Sequence, residues 1–124
     1  MLKKYVFIIT VFYTLGLATV SLMTLNNLPN VGINFADKIF HFIVYSVLAY
    51  LWFSTFYFKF KYKKRKAIWY AALFSIIFGI IIEVLQGSVT ASRHSDVYDA
   101  IANTLGVLIM VSILLVNKKM HIKN

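Results

Sequence analysis

From Tyr5 to Ala36 the chain carries no charged side chain, and within that interval YVFIITVFYTLGLATVSLM is long enough to cross the hydrocarbon core of a bilayer, which takes roughly 20 apolar residues. Few folds accept such a run. Lipid offers backbone N–H and C=O groups no partner, so a segment crossing it has to satisfy them internally, as a helix. Three more apolar runs follow, and the pattern predicts spans at about 5–25, 39–58, 67–87 and 98–116. MLKK resembles the start of a secretory signal, but the apolar run exceeds a usual signal core and no A-x-A site follows, so it reads as a retained span. The expected fold is an all-α integral membrane bundle of four transmembrane helices, one domain over residues 1–124.

Composition agrees: 60% of the residues are hydrophobic, 17% are aromatic, and the mean hydropathy is +0.77, outside the range of soluble domains. No cysteine is present, which excludes disulfides, thiolate metal sites, a lipoprotein anchor and a cysteine nucleophile. The net charge of +9 comes from cations grouped in short blocks between apolar runs rather than interleaved along one face, so nucleic acid is not an expected partner.

The placement of those cations predicts orientation. Lys3 and Lys4, the six in KFKYKKRK, and Lys118, Lys119 and Lys123 make eleven of thirteen, all at one set of helix ends. By the positive-inside rule that side is the cytoplasm, with both termini inside. NNLPNVGIN, with the only proline, and SVTASRHSD are then outer loops, and Gly87 stands as a C-cap for the third helix. The basic block is most simply topogenic and attractive to anionic headgroups. Trp52 and Trp69 read as interface or packing residues.

All four acids in the chain, Asp37, Glu83, Asp96 and Asp99, fall at the outer end of this arrangement. The same level collects Lys38, His41, Gln86, Arg93, His94 and Asn103. Asp37, His41 and Tyr45 are spaced i, i+4, i+8; Glu83 and Gln86 are i, i+3; Asp96, Asp99, Asn103 and Gly106 continue the helical pattern, so each set shares one helix face. A charge facing lipid near the bilayer centre costs about 3 kcal/mol on insertion scales, so these stripes are expected to face one another. Gly106 would let the fourth helix approach a neighbour closely beneath them.

The pattern D-K-x-x-H-F-x-x-Y in DKIFHFIVY, then E-x-x-Q in EVLQ, then Arg93, Ser95, Asp99, Asn103 and Gly106 in the segment RHSDVYDAIANTLG, resembles the VanZ-like family of small bacterial membrane proteins. The resemblance covers about residues 35–110. Family members often carry a proline before the arginine where this loop reads TASRHS, so the loop shape does not follow from it. The founding member is linked to low-level resistance to teicoplanin, a lipoglycopeptide aimed at wall precursors outside the membrane. No biochemical activity is established for the family.

Three functional readings follow. In the first, an outer-leaflet polar pocket engages a membrane lipid, a lipid-linked wall precursor or a lipoglycopeptide, with Lys38 and Arg93 on its phosphate or carboxylate. Asp37, His41, Tyr45, Glu83, Gln86, Ser95, Asp96, Asp99 and Asn103 complete that pocket. In the second, the protein is an enzyme on such a substrate, with Glu83 or Asp99 as base, His41 assisting and Arg93 stabilising developing negative charge. In the third, the ion pairs only hold together a structural accessory subunit. His41 with Glu83, Asp96 and Asp99 could ligate a divalent metal, but no H-E-x-x-H or D-x-D spacing is present, so neither a metal nor another cofactor is expected. The sequence is compatible with a homo-oligomer.

Overall fold

The computed structural model describes residues 2–22, 34–89 and 97–116. They form α1 (Leu2–Leu22), α2 (Asn34–Ser54), a π-helical turn (Thr55–Lys59), α3 (Lys64–Val89) and α4 (Val97–Val116), with no strand among the described residues. All four α-helices are long and apolar enough to cross a membrane. The helices outrun the predicted spans: α2 begins at Asn34, α3 takes in Lys64, Arg65 and Lys66, and α3 continues through Gly87 to Val89. Hydropathy marks where lipid ends, whereas Lys and Arg are good helix formers that carry the backbone ladder beyond it. A glycine permits a helix to stop without requiring it.

Cross-helix contacts give the directions. Along α2, Lys38, His41 and Ser46 meet Asp99, Asn103 and Gly106 of α4 in rising order, so these helices run parallel. Tyr45 and Trp52 meet Phe78 and Phe74, so α3 runs against both. Tyr13 reaches the Val44 carbonyl and Thr10 reaches that of Leu51, so α1 is antiparallel to α2. The core lies among α2, α3 and α4, where Tyr45, Leu48, Phe53, Val107 and Val111 pack against a row of small residues on α3, Ala67, Ala71 and Ala72. Small residues suit this position because helices in lipid gain from close packing rather than from leaving water. Large apolar side chains such as Phe12, Ile39, Leu73 and Ile113 face outward, where lipid would meet them.

Two features set the helix spacing. A Cβ on Gly106 would collide with the Phe42 carbonyl oxygen, so α2 and α4 touch backbone to backbone there. Ser46 Oγ lies 2.9 Å from the Phe42 and Gly106 carbonyls, one hydroxyl hydrogen serving both helices. The second feature ends α2. In the π turn the Phe60 N–H donates to the Thr55 carbonyl at 3.0 Å and the Tyr62 N–H to that of Phe56 at 2.9 Å. Lys61 follows with φ 65°, a left-handed conformation that disfavours a side chain by about 1 kcal/mol. Around this turn the rings of Phe56 and Tyr62 stack at 5.5 Å, and Lys66 Nζ sits 4.7 Å above the Tyr62 ring.

Gly106→Val is expected to destabilise the bundle by about 1–3 kcal/mol, the cost of overpacking a tight contact. Gly16→Val, at a position with open space around it, should change stability far less. Thermal melts of the two purified variants in one detergent check the contrast.

Candidate functional site

Three helices deliver one polar face each to the same end of the bundle. On α2, Lys38 and His41 are i and i+3 and so project together. On α3, Glu83 lies six residues before the helix end at Val89, about 9 Å along the axis. On α4, Asp99 falls in the first turn, where the positive end of the helix dipole favours a carboxylate. Asn103 follows one turn on.

These side chains meet. Lys38 Nζ is 2.7 Å from Asp99 Oδ1, a charge-assisted distance. Asp99 Oδ2 is 3.5 Å from His41 Nε2, and His41 Nδ1 is 3.1 Å from Asn103 Oδ1. An amide oxygen only accepts, so Nδ1 carries the hydrogen and donates it, a tautomer assigned from the bonding pattern. Donor atoms of His41, Glu83 and Asp99 lie within 4.8 Å of one another. His41, Glu83, Asp99 and Asn103 are all less than a tenth exposed, while the Lys38 side chain remains 22% exposed at the rim.

A turn deeper, Tyr45 is buried beside Gly79, whose missing side chain makes room for it. A Cβ on Gly79 would stand 3.0 Å from the Tyr45 ring and 3.2 Å from Asn103 Nδ2. Tyr45 lies within electrostatic reach of Glu83. Among the described residues its hydroxyl and Asn103 Nδ2 have no hydrogen-bond partner, so both have donor capacity at the base of the cluster. Beside the site, Phe40 meets the His41 ring edge-on at 6.1 Å. Phe40 also borders an apolar groove between α1 and α2, lined with Phe12, Tyr13, Gly16, Leu17, Val20 and Val44.

Of the residues singled out from sequence, Lys38, His41, Glu83, Asp99 and Asn103 are therefore together, and Tyr45 adjoins them. Lys38 finds an acid on α4, Asp99. Asp37 and Gln86 lie on α2 and α3 with side chains outside the described residues, as do Arg93, Ser95 and Asp96 altogether.

A second polar system was not foreseen. Thr55 Oγ1 is 2.8 Å from Thr10 Oγ1, Thr10 Oγ1 is 3.2 Å from the Leu51 carbonyl, and Trp52 Nε1 donates to Thr14 Oγ1 at 3.0 Å. This network ties α1 to α2. Its only trace in the sequence is the i, i+4 spacing of Thr10 and Thr14 within an otherwise apolar run.

Four helices of membrane-crossing length, three of them closing on a buried, ion-paired centre, define a multi-pass membrane protein. The chain belongs to the VanZ/LLP1 family, whose sequence profile matches residues 3–118. Searches of curated proteins and of solved structures gave no significant match.

Lys38→Met should lower stability by about 1–2 kcal/mol, less than for a fully buried pair because Lys38 reaches the surface. The double variant with Asp99→Asn should recover part of that loss, since it removes the carboxylate left behind. A double-mutant cycle on thermal midpoints reads the coupling.

Proposed function

We propose that this protein sits in a bacterial cytoplasmic membrane with both termini inside and uses the polar centre, at the outer leaflet, to hold the anionic headgroup of a cell-envelope amphiphile. The observation that carries the reading is the convergence of Lys38, His41, Glu83, Asp99 and Asn103 at one end of the bundle. Ionisable groups within membrane helices are costly and cluster where a protein does its work. Lys38 offers the rim a cation, and the spare hydrogens of Tyr45 and Asn103 offer neutral donors below it. The groove past Phe40 and Gly16 gives an acyl chain a path beside the headgroup site, as an amphiphile requires. Tolerance to teicoplanin would follow if a bound lipid-linked precursor were less open to the drug.

One observation favours a second reading, chemistry on the same headgroup. The buried carboxylates of Glu83 and Asp99 lie beside His41, groups able to take and return a proton. Retained lipid binding but lost turnover of a labelled envelope lipid in Glu83→Gln would select this reading over simple binding.

Expression in a susceptible Gram-positive host should raise the inhibitory concentration of teicoplanin more than that of vancomycin, and Asp99→Asn at equal membrane abundance should abolish the rise. No rise with the wild type would separate this protein from glycopeptide tolerance. Gly16→Leu, which fills open space in the groove, should reduce co-purifying lipid, read by mass spectrometry, with little change in melting. Because the chain has no cysteine, orientation is checked on single-cysteine variants. Ser92→Cys should react with an impermeant maleimide on intact cells and Lys61→Cys should not.

A further inference from the structure

We propose that His41 Nε2, Glu83 and Asp99 form a three-ligand site for one divalent transition-metal ion of the zinc type, with a further position for water or an anionic oxygen. The three donors come from α2, α3 and α4, are buried, and lie within 4.8 Å of one another.

Two surrounding contacts prepare them for a cation. Asn103 Oδ1 accepts the hydrogen of His41 Nδ1 at 3.1 Å, which turns Nε2 toward Asp99, so that Nε2 is the ring atom a metal would take. Lys38 takes Asp99 Oδ1 at 2.7 Å, which leaves Oδ2 directed at His41. An orienting partner behind each ligand is the usual support of a metal site, fixing the histidine tautomer and the ring direction.

The spacing between the prepared atoms fits the same reading. His41 Nε2 and Asp99 Oδ2 are 3.5 Å apart, beyond the roughly 2.7–2.9 Å of a charge-assisted hydrogen bond. Two ligands bonded at about 2.0–2.1 Å to a tetrahedral zinc ion are separated by about 3.3 Å. The two atoms thus already stand at the separation that two ligands of one zinc ion take.

Donor type narrows the ion. One imidazole and two carboxylates suit Zn²⁺, or Mn²⁺ and Fe²⁺ in the same coordination, whereas Mg²⁺ and Ca²⁺ prefer all-oxygen shells with more ligands. Charge bears on the remaining ligand. Among the described residues, Glu83 and Asp99 with Lys38 sum to one negative charge; a dication makes this one positive charge, which favours a bound hydroxide or a phosphate oxygen. The ligands stand at positions 41, 83 and 99 on three helices, so no short spacing motif in the sequence would announce them.

The test uses the full chain in detergent, in a His94→Ala/His121→Ala background that removes the other two histidines. After chelator treatment and dialysis, Zn²⁺ is titrated calorimetrically, and the Co²⁺-loaded protein is examined for tetrahedral visible absorption. One equivalent is expected to bind. His41→Ala and Asp99→Asn should each abolish tight binding, and Asn103→Ala, which leaves all three ligands in place, should weaken it by about 10–100-fold. Ser112→Ala, on an exposed part of α4, should bind as the wild type does. Absence of a stoichiometric site in the wild type, or binding undiminished in both His41→Ala and Asn103→Ala, would overturn the proposal. Melting curves identify any variant that fails to fold, and Asn103→Ala then carries the comparison. The proposal does not depend on the headgroup reading: lipid can co-purify with a metal-free protein, and zinc can bind a protein that captures no lipid.

Discussion

A carboxylate inside a membrane-spanning helix has to be answered by another helix, because lipid supplies neither charge nor hydrogen bonds. Asp99 and Glu83 impose that condition on this fold. Asp99 is met by Lys38 and His41 from α2, and His41 is held in turn by Asn103 from α4. The parallel approach of α2 and α4 is thus fixed at one end by ions and, a turn or so further in, by backbone contact at Gly106. Glu83 brings α3 into the same assembly, and Gly79 keeps its backbone out of the way of Tyr45 and Asn103. Small residues and charged residues are two halves of one arrangement: without the close approach the long Lys38 stem would span a wider gap, and the ions fix the same register that Gly106 and Ser46 fix further in.

Helix α1 is attached by different chemistry. Its bonds to α2 run through the hydroxyls of Thr10, Thr14 and Tyr13, with Trp52 and Thr55 as partners. Such neutral interhelical hydrogen bonds in membranes average about 0.6 kcal/mol, so several are needed to do what one ion pair does for α4. Much of α1 faces outward. The three-helix unit of α2, α3 and α4 therefore holds the polar site, and α1 flanks it, forming one wall of the apolar groove.

The four helices were legible because lipid makes long apolar runs unambiguous and because acids are so rare in this chain that their gathering stands out. His41, Glu83, Asp99 and Asn103 could be placed on helix faces from 3.6-residue periodicity alone, and Lys38 only at the same end of the bundle. Which partner each would choose could not. Lys38 meets Asp99, sixty-one positions away, at 2.7 Å, a contact made by helix packing. The tautomer of His41 likewise depends on Asn103, on another helix. Threonines in an apolar run carry little signal, since a Thr in a membrane helix can bond back to its own turn, as Thr14 does to the Thr10 carbonyl, or across to another helix.

The wider turn at Thr55–Lys59 separates two demands on α2. In an unbroken α-helix each residue is rotated by about 100° from the last, so a face chosen at one end dictates the face at the other. Here Lys38 and His41 are keyed to α4, while Thr55, Phe56 and Phe60 are keyed to Thr10 and Phe7 of α1 and Tyr70 of α3. At the π turn the rotation per residue departs from that value, so residues beyond it need not continue the α2 face. The aromatic end of the bundle can thus change in sequence, or gain or lose a residue beyond the turn, without rotating the charged end out of alignment.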